Sequence, residues 1–203
     1  MKIYLIRHGE TTADLEGRYG GDYDDELTDK GKSQAEELAI KLASKGIECI
    51  YHSPKIRAVQ TTQILNTQLH CVIEEVQDLR ERNGYGVLTG LTKVEAKEKY
   101  PEEFEQFTKE GYGYHIKGSE DVESLRERVI SAFNSIVDNK TYNKVAVVTH
   151  GGVIRTFMRS YIKLGELKKL EDCAVFEIDV IDGNIVLVSM DKAELVNASK
   201  VEV

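Results

Sequence analysis

Short apolar runs rich in β-branched residues alternate with amphipathic stretches along this 203-residue chain. The clearest helical stretches are Lys30–Lys45, Ser53–Leu69 and Asp121–Asp138, in which apolar residues recur every three or four positions. The most apolar run, Lys144–Thr149, directly precedes another helical stretch at Val153–Tyr161. This alternation predicts an α/β fold, a three-layer αβα sandwich with a mostly parallel central sheet.

The remaining predicted elements are shorter. Further strands are expected at Lys2–Ile6, Cys49–Tyr51 and Val72–Val76, and a hairpin at Val175–Val180 and Asn184–Ser189. We expect Ser53-Pro54 to supply the N-cap and first position of its helix.

The sequence predicts one domain over residues 1–203, with a lid-like helical insertion near residues 82–120. Within it, a glycine-rich loop at Gly84–Gly90 precedes two short helices near Lys93–Tyr100 and Glu102–Lys109. Its tyrosines could contact an organic substrate or simply pack within the lid. They are Tyr100, Tyr112 and Tyr114.

Composition excludes several function classes. The net charge is −8 with both signs interspersed, which disfavours the basic face that nucleic acids require. Three cysteines lie far apart without metal-finger or redox-motif spacing, as expected of reduced thiols in a cytoplasmic protein. No apolar run approaches the roughly 20 residues that span a bilayer, and the N-terminus does not resemble a signal peptide. A homodimer is compatible with the sequence.

Two of the predicted strands end in the same unusual way. His8-Gly9 follows the first strand, and His150-Gly151 follows the strand at Lys144–Thr149. Ligands of parallel sheets bind beyond the carboxyl ends of the strands, where a glycine permits close approach and a following helix offers free N–H groups. A single such histidine is most often structural, but two in matching positions indicate a shared site.

Two arginines are candidate anion ligands. Arg7 directly precedes His8, and Arg57 lies early in the helix after the second strand. Guanidinium groups match phosphate oxygens in a bidentate way. Considered alone, Arg57 is more simply a solvated helix residue or a partner of a nearby acid.

Four segments then stand in a fixed order between residues 7 and 155. They are Arg7-His8-Gly9-Glu10-Thr11 with Leu27-Thr28, Gly31 and Gln34-Ala35; Ser53–Thr62; Leu79-Arg80-Glu81-Arg82; and Thr149-His150-Gly151-Gly152-Val153-Ile154-Arg155. Together they resemble the motifs of the histidine phosphatase superfamily, the phosphoglycerate mutase-like proteins. Arg-His-Gly alone is a weak signal, whereas all four motifs in family order are specific.

The resemblance implies a phosphatase that hydrolyses a small soluble phosphomonoester through a phosphohistidine on His8, without cofactor or metal. Arg7, Arg57 and His150 would surround the phosphoryl oxygens, where preorganised cations stabilise the transition state. Glu81 would protonate the leaving alkoxide and later activate water. Without the family, an ion pair with Arg80 or Arg82 is the simpler role for Glu81.

Several rim positions depart from the family pattern. Asp14 stands where Asn is common, Gly20 where Gln is common, Glu26 replaces the usual Pro, and Gly118-Ser119-Glu120-Asp121 replaces Gly-Gly-Glu-Ser. An ionised carboxylate at Asp14 cannot donate to phosphate. It could pair with Arg7 or Arg57, contact a cationic or hydroxylated part of the substrate, or face solvent. We retain Asp14, Gly20 and Gly151 as substrate-binding candidates.

Three alternatives stay open. A cofactor-dependent phosphoglycerate mutase would use the same phosphohistidine, although the path from Glu81 to Glu120 is shorter than the mutases' insertion. A binding protein of this fold would have lost His8, Arg57 or His150, and all three are present. A metal hydrolase would need clustered ligands, and the flanking arginines disfavour a bound cation.

Overall fold

The computed structural model describes residues 1–111 and 114–196, so Tyr112 lies outside the described residues. Within them, six strands form one sheet in the order β3-β2-β4-β1-β5-β6. The first four strands run parallel, and β5 and β6 add antiparallel at the β1 edge. This confirms the mostly parallel sheet. The strands are β1 (Lys2–Arg7), β2 (Cys49–His52), β3 (Val72–Glu75), β4 (Lys144–Thr149), β5 (Leu167–Ile181) and β6 (Asn184–Leu195).

The helices lie between the strands, as the alternating pattern predicts. The last of them continues into a π-helical turn at Phe157–Tyr161, and single 3₁₀ turns occupy Gln77–Leu79 and Gly86–Leu88. The helices are α1 (Thr12–Glu16), α2 (Asp29–Leu42), α3 (Ile56–Leu69), α4 (Lys93–Lys99), α5 (Pro101–Glu110), α6 (Val122–Asp138) and α7 (Gly151–Thr156).

Strand β1 shows how the sheet forms the middle layer. Successive side chains of a strand point to opposite faces. Ile3 and Leu5 belong to one buried cluster with Phe133 of α6. Tyr4 and Ile6 belong to a second cluster with residues of α2 and α3, such as Leu38. Helices therefore cover both faces, and the three-layer sandwich is confirmed.

Residues 85–116 contribute to a small apolar cluster separate from the two main ones. Leu88, Ala96 and Ile116 are fully buried there, and several aromatic side chains pack against them. Tyr114 belongs to this cluster, whereas Tyr100 is exposed. No helix in residues 1–111 or 114–196 is both long and apolar enough to cross a membrane.

Three details of the predicted elements are wrong. Helix α3 begins at Ile56 with Lys55 as its N-cap, because the Ser53 backbone N–H still bonds Val148 on the neighbouring strand. Val122, which the apolar spacing of Asp121–Asp138 predicts to face inward with Leu125 and Val129, is half exposed. Strands β5 and β6 extend well beyond the predicted hairpin, with irregular register between Leu170 and Val175.

Candidate active site

The sheet register brings the two strand-end histidines together. Arg7 is paired with Thr149 across the β1–β4 ladder, so the residues that follow each strand are neighbours. The His8 backbone N–H donates to the Thr149 carbonyl over 3.1 Å. The ring centroids of His8 and His150 lie 5.0 Å apart, with their planes tilted by 57°. Both rings therefore belong to one site, at the sheet edge where the sequence places it.

The surroundings of His8 fix its tautomer and charge. Its Nδ1 lies 2.8 Å from the Gly9 carbonyl oxygen, which only accepts hydrogen bonds, so Nδ1 carries the proton and Nε2 keeps its lone pair. Burial, then the charges of Arg57 and Arg7, hold the pKa of His8 well below 6.5. His8 is therefore a neutral imidazole with an unprotonated Nε2, the state that nucleophilic attack requires.

Arg57 connects the two histidines. Its Nε lies 3.2 Å from Nε2 of His8 and 3.2 Å from Nδ1 of His150. Its two Nη atoms donate to the Tyr23 carbonyl at 2.6 Å and the Gly21 carbonyl at 2.8 Å. Arg57 is 4% exposed. The two Nη atoms are thus held by backbone carbonyls, and the single Nε–H of Arg57 is directed at both histidine rings.

Ser53 orients His150. Since Nδ1 of His150 accepts from Arg57, the proton lies on Nε2, which donates to Ser53 Oγ over 2.6 Å. Burial, then the positive charge of Arg57, keep the pKa of the fully buried His150 well below 6.5. Ser53 thus contributes to the site, and it does not cap α3, whose N-cap is Lys55.

Arg7 is held by an irregular part of β5. Its Nη1 donates to the Leu170 carbonyl at 2.8 Å and pairs with Asp172 at 3.2 Å. Both partners lie where the β5–β6 register shifts and Cys173 adopts a positive φ of 53°. The buried Nε of Arg7 has no hydrogen-bond partner among the described residues. A buried N–H without an acceptor is costly unless a ligand satisfies it.

Glu81 is fixed by two backbone N–H groups. Its Oε2 accepts from Gly152 at 2.9 Å, and its Oε1 accepts from Arg82 at 2.7 Å. A Cβ at Gly152 would collide with Oε1 of Glu81, so only glycine leaves room for the carboxylate. The alternative ion pairs of Glu81 are absent from the described residues, since Arg80 pairs with Asp78.

A buried ion pair holds the backbone around Glu81. Arg128 of α6 binds both carboxylate oxygens of Glu120, at 2.6 and 2.8 Å. Its guanidinium also donates to the carbonyls of Asp78 and Arg80, each at 2.8 Å, and of Glu81 at 3.3 Å. Arg128 is 8% exposed. The segment carrying Glu81 is thereby fixed to α6.

These groups border one open cavity of about 740 Å³, which includes Arg7, His8, Arg57 and Glu81. Its wall is rich in arginine and has fewer carboxylates. The arginines are Arg7, Arg18, Arg57, Arg82, Arg155 and Arg159, and the acids are Asp14, Asp25 and Glu81. The excess of positive charge on the cavity wall suits an anionic ligand, although the net charge of the whole chain is −8.

The three substrate-binding candidates also line this cavity. Asp14, however, is committed to helix α1, because its Oδ2 accepts from the backbone N–H and the hydroxyl of Thr11 at 3.0 and 2.9 Å. Arg7 and Arg57 have other carboxylate partners, so the suggested pairing of Asp14 with either is wrong. Gly20 and Gly151 leave space at the wall, with nothing closer than 3.9 Å to a Cβ at either position.

Several residues of the site escape sequence analysis. Asp25 lies among other acids in Asp22–Glu26, and nothing in the pattern distinguishes it from them. Asp172 lies in a charged stretch that does not look like a strand. Arg128 resembles a solvated position of an amphipathic helix. The Ser-Pro pair that follows a predicted strand does draw attention to Ser53. The same pair is typical of a helix N-cap, so it does not by itself indicate a residue of the site.

A metal centre has no candidate ligand set in the described part of the chain, where no group of three or more His, Cys, Asp or Glu side chains is arranged to bind an ion. The donors that line the cavity are mainly arginine N–H groups, beside the neutral ring of His8. Such a set suits an anion rather than a cation.

Comparison with known proteins adds independent information. The sequence model of one protein family, the histidine phosphatase superfamily (branch 1), matches residues 3–192 of this chain. The chain is 33% identical to phosphoglycerate mutase-like protein 4 of Arabidopsis thaliana, over 90% of this chain and 81% of that protein. It is 32% identical to a metal-independent phosphoserine phosphatase of the same plant, over 89% and 77%. YhfR of Bacillus stearothermophilus superposes with a TM-score of 0.81 at 30% identity, covering 92% and 95% of the two chains.

Proposed function

The chain belongs to the histidine phosphatase superfamily, and from that premise we propose that it hydrolyses a small phosphomonoester through a phosphohistidine formed on His8. The observation that carries the proposal is the state of His8. Its Nδ1–H is held by the Gly9 carbonyl, and its unprotonated Nε2 lies 3.2 Å from the guanidinium of Arg57. A neutral nucleophile beside a fixed cation is the arrangement that phosphoryl transfer needs.

In the first step, Nε2 of His8 attacks phosphorus and the P–O bond to the organic group breaks. Charge accumulates on the phosphoryl oxygens, where Arg57 and the unpartnered Nε–H of Arg7 can donate. Glu81, in its protonated form, gives its proton to the departing alkoxide. The products of this step are an alcohol, phosphohistidine and the Glu81 carboxylate.

In the second step, water attacks the phosphorus of phosphohistidine while the Glu81 carboxylate takes its proton. The N–P bond breaks, inorganic phosphate leaves, and Nε2 of His8 recovers its lone pair. Glu81 is again protonated and ready to act as an acid. Every group in the cycle returns to its starting state, so the proposal needs neither a metal nor a cofactor.

The names of the relatives support a small metabolite as the substrate. Two are phosphatases of phosphoserine and of 2-carboxy-D-arabinitol 1-phosphate. Mutases also occur among them, for example a 2,3-bisphosphoglycerate-dependent phosphoglycerate mutase of Parvibaculum lavamentivorans at 27% identity. Phosphatase and mutase share the phosphohistidine, and they differ in whether water or a second substrate hydroxyl accepts the phosphoryl group.

The test is release of inorganic phosphate from a panel of metabolite monoesters, with interconversion of 3- and 2-phosphoglycerate assayed alongside. We expect hydrolysis that survives a chelator and disappears in His8→Ala, while the control His115→Ala keeps it. Near wild-type rates in His8→Ala would contradict the proposal. Loss with chelator and recovery with added metal would favour a metal hydrolase, and isomerisation exceeding hydrolysis would favour a mutase.

We further propose that the enzyme acts in the cytoplasm. Its three cysteines are free thiols, and burial raises the pKa of Cys49 and Cys173 to about 12. Thiols in that state are poor nucleophiles and suit a reducing compartment.

A further inference from the structure

We propose that Asp172 is a positioning residue of the hydrolysis, whose carboxylate keeps the guanidinium of Arg7 directed at the phosphoryl group and away from Glu81. The inference rests on the proposed function, because it concerns how Arg7 and Glu81 stay separate during the reaction. It is carried by the shape of strand β5 around Asp172 and by the closeness of Arg7 to Glu81.

Strand β5 departs from regular pairing in the segment that contains Asp172. From Leu170 to Val175 the strand advances by five residues, while its partner β6 advances by only two, between Asp191 and Ala193. The extra residues form a bulge. Bulges re-aim side chains and are frequent beside active sites, so this one is a candidate for a functional feature.

The bulge is tied to the end of β1. The backbone N–H of Cys173 donates to the His8 carbonyl over 3.1 Å, and Cys173 has a φ of 53°. A positive φ strains a residue other than glycine, and it persists where the surrounding structure determines it. The same bulge holds Arg7, whose Nη1 donates to the Leu170 carbonyl at 2.8 Å and pairs with Asp172 at 3.2 Å.

The surroundings of Asp172 otherwise disfavour a negative charge. Its side chain is 21% exposed. Burial raises the pKa of Asp172, and the charges of Asp14 and Glu10 act in the same direction. Arg7 is the strongest opposing influence, and Lys30 is a weaker one. A carboxylate at this position is therefore stabilised chiefly by Arg7, which is also the cation that it contacts.

The pairing with Asp172 occupies only one part of the Arg7 guanidinium. Nη1 takes both acceptors of the bulge, whereas the buried Nε has no hydrogen-bond partner among the described residues. Nε–H and Nη2–H form the edge with which a guanidinium can bind two phosphoryl oxygens. Asp172 thus fixes Arg7 without taking the Nε–H donor that the ligand needs.

Glu81 is a second carboxylate close to Arg7. A Cβ at Gly151 would lie 4.0 Å from Nε of Arg7 and 3.9 Å from Oε2 of Glu81, so the two groups border the same small space. No ion pair joins them in the part of the chain that the structure describes. Glu81 instead accepts from the backbone N–H groups of Gly152 and Arg82.

This separation matters for the proposed acid. An ion pair with Arg7 would favour the ionised carboxylate of Glu81, whereas the first step requires a protonated one. If Asp172 were neutral, Arg7 would need another counter-charge, and Glu81 is the carboxylate that borders the same space. Asp172 therefore satisfies the charge of Arg7 and leaves Glu81 free to carry its proton.

Asp172→Asn tests the inference, because it removes the charge with almost no change of shape. We expect kcat/KM for glycerol 3-phosphate to fall by at least about tenfold, and for p-nitrophenyl phosphate by less, since only the alkoxide needs the proton of Glu81. On the alkaline side of the pH profile, hydrolysis of glycerol 3-phosphate should be lost at a lower pH than in the wild type. Asp172→Glu, which keeps the charge, should retain part of the activity.

The matched control is Asp179→Asn. Asp179 is another carboxylate of β5 that pairs with a cation of β1, Lys2, at 3.0 Å, and it lies outside the cavity. Its replacement should leave the rates on both esters and the pH profile unchanged.

A double-mutant cycle shows whether Asp172 acts through Arg7. In an Arg7→Gln background the guanidinium is absent, so the further change Asp172→Asn should alter kcat/KM by less than about twofold. Equal losses in the two backgrounds would overturn the inference. Equal losses on both esters with an unchanged pH profile would also overturn it, because a purely structural defect has that effect.

The outcome for the inference is distinguishable from that for the proposed function. Wild-type rates and an unchanged pH profile in Asp172→Asn would overturn the role of Asp172 while hydrolysis through His8 stays intact. Turnover by His8→Ala would instead contradict the proposed function itself.

Discussion

The guanidinium of Arg57 and the carboxylate of Asp25 form an ion pair at 2.5 Å, in which the two side chains are 5% and 3% exposed. Both charges are removed from water, so each depends on the other for compensation. Because the same guanidinium lies between His8 and His150, the pair links the stability of the fold to the geometry of the site.

Asp25→Ala should therefore destabilise the protein strongly. Removing one partner of a buried ion pair leaves an uncompensated charge and costs about 3–5 kcal/mol of unfolding free energy. Asp191→Ala is the matched control, because it breaks an exposed pair with Lys41 at 3.2 Å and should cost no more than about 1 kcal/mol. Urea denaturation of both variants measures the difference, and similar losses would mean that the Asp25 pair contributes no more than a surface pair.

Stability should fall as the pH drops below 6.5. The pKa of both His8 and His150 is held well below 6.5 in the folded protein, mainly by burial, whereas the unfolded chain takes up protons near 6.5. The unfolded state thus binds more protons on the acidic side. Between pH 7.5 and 5.5 the two groups together should remove about 3 kcal/mol of unfolding free energy.

The comparison with variants isolates the contribution of these two histidines. In His8→Gln the loss of unfolding free energy between pH 7.5 and 5.5 should be roughly half as large, because one of the two groups no longer titrates in the unfolded chain. His115→Gln replaces an exposed histidine and should leave the loss unchanged. An unaltered loss in both His8→Gln and His150→Gln would contradict the neutral state assigned to the two rings.

Gly152→Ala should act through Glu81. The added Cβ would collide with the Glu81 carboxylate, so the acid is displaced while His8 is untouched. Hydrolysis of alkyl phosphates, which need a proton on the leaving oxygen, should slow by roughly 100-fold, and p-nitrophenyl phosphate by less than about tenfold. Glu81→Gln should show the same pattern. Gly151→Ala, whose Cβ meets nothing closer than 3.9 Å, should cost less, and equal losses on both esters would argue against Glu81 as the acid.

Arg128 should behave as a positioning residue for Glu81. Its guanidinium binds the carbonyls of Asp78, Arg80 and Glu81, so Arg128→Lys loosens the segment that carries the acid. We expect alkyl phosphates to lose kcat/KM more than p-nitrophenyl phosphate does. The control is Arg126→Lys on the same helix, which should leave the ratio of the two rates unchanged. A uniform loss in Arg128→Lys would indicate a purely structural role.

The parts of the molecule that depend on local pattern could be predicted. Strand β4 has the predicted bounds, and the alternation of strands with helices gives the three-layer sandwich. His8 and His150 meet because parallel strands end at the same edge of the sheet, which follows from topology alone. The helix pattern alone does not distinguish Arg57 from a solvated helix residue, whereas the family motifs identify it as a site residue.

The parts that depend on contacts distant in sequence could not be predicted. Asp25 is 32 residues from Arg57, and only the fold selects it among neighbouring acids. Leu170 and Asp172, which bind Arg7, lie in the irregular part of β5. That part is rich in charged residues, and its side chains do not alternate between apolar and polar as those of a regular strand do. The sequence predicts Ser53 as a helix N-cap, and its bond to His150, which is 97 residues away in the chain, places it in the site instead.

The most direct test of the central claim is to trap the intermediate. The enzyme is mixed with a monoester, quenched in alkali within the first turnovers, digested and analysed by mass spectrometry. We predict one acid-labile, alkali-stable phosphoryl group on the peptide that contains His8, and none in His8→Ala. A phosphoryl group on another residue, or continued turnover by His8→Ala without one, would contradict the account.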